Sequence, residues 1–309
     1  MRAIEICRSP LFIIGAPGSG RIAVARSLAR HSALALSTEP DIVAHLGGFG
    51  SLDPAFPNTA SPDPNWPRNH TIDRIEFLQF LGDSVGALIA TRVNGKRWID
   101  TPPDCLKVDI LADAFRDGLF LLILRDGRTA VSAAFRGENE AENSLDGAVG
   151  RPTEIQSAWK ACRRSIRTVT DALAHDPHVR LTEFRSECWR WARNVTSAMA
   201  FVAGRPRRCR TVRYEELIAD PDGGFRGIFR FFGLPVDAEP IHSFRLYRDS
   251  SHQALGASSP TTARQPLAVW KEWTVQQQQV FLEVAGETLL RYGFVTEHDI
   301  LRLQRDAAG

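Results

Sequence analysis

Residues 15–22 read Gly-Ala-Pro-Gly-Ser-Gly-Arg-Ile, and no other stretch of the chain is better suited to chemistry. Glycines let a backbone curl until successive N–H groups point inward at one anion. The spacing is that of the phosphate-loop pattern G-x-x-x-x-G-K-[ST], with Arg21 in place of Lys and Ile22 in place of the hydroxyl residue. Isoleucine cannot ligate Mg²⁺, which disfavours a metal-dependent ATPase or kinase. Arg21 brings positive charge to the first turn of the expected helix, where the macrodipole opposes it; a bound anion would offset that conflict. Two plainer readings stand beside these, a ligand-free glycine turn and, for Arg21, an exposed surface cation.

Arg125 is the second feature. It directly follows the apolar run Leu119-Phe-Leu-Leu-Ile-Leu124. A guanidinium there projects from the rim of a sheet and can fork onto a phosphate. Taken alone, Arg125 reads better as a salt-bridged strand end. Asp126 is placed to cap the following helix, and Arg128 reads as solvated.

These residues need elements to hold them. Short apolar runs predict strands over Leu11–Gly15, Leu34–Ser37, Arg97–Asp100, Leu119–Leu124 and Cys209–Arg213. Helical patterns cover Arg21–His31, Asp73–Val93, Pro103–Phe115, a stretch opening at Arg125–Arg128, about Thr153–Ala174, Glu183–Val202, Glu215–Ala219, Phe225–Phe232 and most of Leu267–Arg305. Long loops are expected at about 47–70 and 236–265. The alternation predicts an α/β fold: a P-loop-like central parallel β-sheet flanked by helices on both faces, with a helical C-terminal part. We expect a single domain over 1–309, its core at about 10–294. Ligands of such sheets bind at the carboxyl ends of the strands, where both the glycine loop and Arg125 fall.

Composition narrows the field. Lys+Arg 38 against Asp+Glu 36 gives a net charge of +2, which argues against nucleic acid as a partner. The densest basic stretch, Arg205–Arg213, reads as a solvated approach to a strand. Five cysteines form no C-x-x-C pair, a usage that fits reduced thiols in a cytoplasmic protein. The eight histidines contain no metal-ligating spacing, so no metal is expected. No apolar run is long enough for a membrane span. Nothing in the sequence specifies an oligomeric state.

Five segments, in order, resemble the family of sulfotransferases that use 3′-phosphoadenosine 5′-phosphosulfate (PAPS), above all its tyrosylprotein-like and bacterial branches. Pro10–Gly20 is similar to the family's 5′-phosphosulfate loop and Leu122–Ser132 to its 3′-phosphate motif. Arg97–Pro102, Val212–Pro221 and Phe231–Pro235 resemble three further family segments. The resemblance implies transfer of a sulfuryl group from PAPS, without metal, to a hydroxyl or amine of a small-molecule, peptide or carbohydrate acceptor. It implies a cofactor site of Pro17, Gly18, Ser19, Gly20, Arg21, Ile22, Arg125, Ser132 and Tyr214. Glu39, in a segment similar to one that carries a family Glu, becomes the candidate base, although Ser37, Thr38 and Glu39 read equally as a helix cap. Asp41 and Asp100 are weaker alternatives. The chain also departs from the family. Gly18 stands where the family has Arg or Lys, Arg21 and Ile22 replace its threonines, and Ala133 takes the usual serine place, with Ser132 one residue earlier. We assign to Arg21 the charge missing at position 18. A non-catalytic nucleotide-binding relative and a P-loop nucleotide kinase are the competing readings.

Overall fold

A computed structural model of the 309-residue chain describes residues 9–37, 73–102, 105–136, 177–253 and 266–307. These residues fall into two compact units, 1–125 with 193–264 and 126–192 with 265–309.

The first unit is built on a five-stranded parallel sheet, β1 (Leu11–Ile14), β2 (Leu34–Leu36), β3 (Arg97–Asp100), β4 (Leu119–Leu124) and β5 (Cys209–Arg213). The strand order is β2-β3-β1-β4-β5. β1 and β4 are apolar at every position because both of their faces are covered. Phe12, Ile14, Trp98, Phe120 and Leu122 point to one side. There they meet α2 (Arg74–Arg92), α3 (Val108–Ala114) and the end of α5 (Pro177–Ala203). Leu11, Ile13, Ile99, Leu121 and Ile123 point to the other side. They pack on α1 (Arg21–Leu28), α6 (Tyr214–Ala219), α7 (Pro221–Phe232) and α8 (Ala238–Gln253). The expected parallel sheet with helices on both faces is therefore present.

Part of the expected loop over 236–265 is instead helix α8. Pro240 and a polar composition disguised it. Asp237 accepts the Glu239 N–H at 3.0 Å at the helix start, and Ile241 and Phe244, one turn apart, are buried in the core. Backbone N–H groups of Glu239 and Ser32 outweigh desolvation and hold the Asp237 carboxyl below its ordinary range. The other expected loop, 47–70, lies outside the described residues.

Arg208 also differs from its reading as a solvated cation. Its guanidinium donates to the carbonyls of Gly118, Ala112 and Phe115 at 3.0, 3.1 and 2.6 Å, which fastens the entry of β5 to that of β4. Arg207 and Arg210 are exposed, as expected.

The described part of the second unit holds α4 (Gly127–Phe135), the first part of α5, α9 (Pro266–Glu272), α10 (Val275–Arg291) and α11 (Glu297–Ala307). Aromatic rings form its core: Phe184 meets Phe135 and Trp273 edge-on, at 5.4 and 5.0 Å between centroids. Trp191 packs near Phe281 and Phe294. A capping box of Thr274 and Gln277 starts α10.

Phe12 sits at the aromatic centre of the sheet, stacked on Phe120 at 4.9 Å and tilted or edge-on to Phe115 and Trp98 at 5.5 and 5.7 Å. Phe12→Ala should therefore lower stability by about 3–5 kcal/mol in urea unfolding.

Candidate functional site

The strand order creates one crevice at the carboxyl ends. From β1 the chain leaves toward β2 on one side; from β4 it leaves toward β5 on the other. The gap between β1 and β4 is thus the switch point where ligands of open parallel sheets bind. The glycine loop rises from β1 and Arg125 from β4, on its two sides.

The loop owes its shape to left-handed backbone. Gly18 has φ +76° and Gly20 φ +83°. Ser19 N–H donates to the Ala16 carbonyl at 3.0 Å, which closes the turn. Gly20 is the N-cap of α1, and so α1 has no side-chain cap and no acidic residue in its first turn. Its first N–H groups have no intrahelical acceptor and present partial positive charge.

Arg125 reaches into this loop. Its Nη1 donates to the Gly18 carbonyl at 2.7 Å, and the residue is 4% exposed. The guanidinium lies over the Tyr214 ring, 4.8 Å from the centroid. Register explains the meeting. Leu124 pairs with Arg213, so Arg125 and Tyr214 each follow the last pair of neighbouring strands. Tyr214 is buried and also bears on the loop: a Cβ at Gly20 would lie 2.3 Å from ring atom Cε2.

The cradle fits a bound phosphate or sulfate. The Ser19 Oγ is buried and has no hydrogen-bond partner among the described residues. A Cβ at Gly15 would sit 2.4 Å from that oxygen. Arg21, the first residue of α1, is half-buried at the same end. Pro17 and Ile22 are partly exposed, whereas Gly18, Ser19 and Gly20 are buried.

The structure thus brings together Pro17 to Ile22, Arg125 and Tyr214. Ser132 belongs to the second unit, buried on α4. Glu39 and Asp41 lie outside the described residues. Asp100 is buried at the tip of β3, beside β1. Arg128 is not solvated: its Nε and Nη2 fork onto the Asp126 carboxylate at 3.0 and 2.7 Å, both residues buried. Asp126 also caps α4, accepting the Arg128 N–H at 2.9 Å. The Gly18 carbonyl as a partner for Arg125 went unread in the sequence; the greater length of the β4 run over the β1 run was the available signal.

The Cys188 and Cys209 thiols are not poised as nucleophiles. Burial pushes Cys209 up to about 11 and raises Cys188 further, so both stay protonated at neutral pH. Among the described residues no cluster of three or more His, Cys, Asp or Glu could hold a metal, and no helix is long and apolar enough to cross a membrane.

Fold and loop together define an α/β protein with a phosphate-type cradle at its switch point. A model described as the sulfotransferase family matches residues 160–238, a stretch that takes in β5, α6 and α7. No curated protein matches the chain. Among solved structures it is similar to mouse sulfotransferase SULT7A1 complexed with PAP, with 15% identity, a TM-score of 0.48, and coverage of 96% of this chain and 89% of that one. The sulfotransferase domain from the curacin biosynthetic pathway is 13% identical, with a TM-score of 0.42 and coverage of 90% and 97%. The sulfotransferase from Alicyclobacillus acidocaldarius is 14% identical, with a TM-score of 0.39 and coverage of 90% and 96%.

Gly20 and Gly233 make a controlled pair for testing the loop contact. Both have positive φ, +83° and +67°, but a Cβ at Gly233 meets nothing within 4 Å. Gly233→Ala should cost about 1–2 kcal/mol of backbone strain alone. Gly20→Ala should cost a further ~1–3 kcal/mol for the collision with Tyr214, read as the larger drop in thermal midpoint.

Proposed function

We propose that this protein is a sulfotransferase that moves a sulfuryl group from PAPS to a hydroxyl or amine acceptor. The observation that carries the reading is the pairing at the switch point of a glycine cradle with a buried arginine from the next strand. A nucleotide phosphorylated at both its 3′ and 5′ positions suits two anion sites at neighbouring strand tips. A kinase substrate needs Mg²⁺, and Ile22 has no oxygen to ligate it.

Bound PAPS supplies the sulfuryl group and a phosphate leaving group, on which negative charge grows during transfer. In this reading the backbone N–H groups of Gly18 to Ile22 and the Ser19 hydroxyl hold the 5′ end. Arg21 adds a cation to that end. Arg125 holds the 3′-phosphate, Tyr214 lies against the nucleotide, and Ser132 is kept as a cofactor residue by its motif position alone. Glu39 takes the acceptor proton, as a base within hydrogen-bond reach must. The acceptor is a small molecule, a peptide or a carbohydrate. Cys188 and Cys209, buried and in no disulfide, support work in a reducing compartment such as the cytoplasm.

Gly18 favours a second reading, a relative that binds the nucleotide and has lost transfer, because the side-chain cation of that loop position is missing. The two part on radiolabelled sulfate transfer to a broad acceptor panel.

The product nucleotide, 3′-phosphoadenosine 5′-phosphate (PAP), should raise the thermal midpoint without added metal and well beyond AMP, ADP or ATP. Saturation at a hundredfold of Kd corresponds to about 2.7 kcal/mol. Equal stabilisation by ATP with Mg²⁺ would falsify the donor assignment. Arg21→Ala should lower kcat on the order of 10²-fold with PAPS. An Arg21→Ala enzyme with full turnover removes Arg21 from the mechanism.

A further inference from the structure

The 5′ loop carries no side-chain cation at position 18, yet a cation is present there. Arg125 Nη1 lies 2.7 Å from the Gly18 carbonyl, inside a buried site. We infer that Arg125 is a positioning residue for the 5′ loop as well as the arginine of the 3′ site: it holds Gly18 in its left-handed conformation and adds from β4 a second positive charge beside that of Arg21. This inference rests on the PAPS reading above.

Two observations converge on it. The first is the level at which the residue emerges. Ile14 pairs with Leu122, so β4 continues past the end of β1 and delivers residue 125 beside the loop rather than beneath it. The second is the fixed pose of the guanidinium. Its face rests 4.8 Å from the centre of the Tyr214 ring, which is itself 1% exposed and abuts Gly20. A planar cation held by a ring on one face and a carbonyl at one edge loses little further freedom when it binds an anion.

An arginine that served the 3′-phosphate alone would be indifferent to a ligand without that group. The test therefore measures PAP and 5′-AMP binding by calorimetry for the wild type, Arg125→Met and Arg125→Lys. Both variants should lose affinity for PAP, and both should also lose affinity for 5′-AMP, roughly tenfold or more for Arg125→Met. That is the scale of one charge-assisted hydrogen bond. The Lys variant keeps the charge without the fork, should fall between the others on both ligands, and carries the test if Arg125→Met does not fold. A variant that loses PAP affinity while binding 5′-AMP as the wild type does overturns the inference and leaves the donor assignment standing. A wild type that binds neither nucleotide overturns both.

Discussion

The site depends on strands ending at unequal heights. β1 stops at Ile14 while β4 runs on to Leu124. The extra length carries a buried guanidinium level with the glycine turn, onto the carbonyl of Gly18. β5 ends in register with β4 and sets the Tyr214 ring against the same cation. Without that ring and carbonyl, a charge in this nearly anhydrous place would be costly. Loop, cation and ring therefore form one unit, and each fixes the conformation of the other two.

Much of the fold could be read from local pattern. The runs Leu11–Ile14 and Leu119–Leu124 are apolar at every residue, and that pattern belongs to strands covered on both faces. The Gly-Ala-Pro-Gly-Ser-Gly turn between a strand and a helix marked the candidate cradle for a similar reason, since its meaning is contained within eight residues. The helix over Ala238–Gln253 escaped because few buried side chains mark its inner face, Ile241 and Phe244 together with Pro240 among the residues whose burial is described. A proline in its first turn looked like a breaker although that position tolerates it.

Charged side chains were the least legible. Arg128, Arg208 and Arg125 look alike in sequence, each lying at the end of a strand or the start of a strand or helix. Their fates differ: Arg128 is neutralised by a carboxylate two residues away, Arg208 clamps three carbonyls of another segment, and Arg125 faces the loop. Each outcome is set by which carbonyl or carboxylate the tertiary structure carries to it. Only the Asp126–Arg128 pair had its partner close enough in sequence to be foreseen.

The contact between Gly20 and Tyr214 also bears on how such a chain can diverge. A side chain gained at position 20 needs a smaller residue at 214, and a smaller residue at 214 removes the surface on which the guanidinium rests. Either single step passes through a damaged loop, so the two positions should drift together across relatives or not at all. A pair remote in sequence is thereby bound to a common history, and the aromatic ring becomes as much a signature of this loop as its glycines.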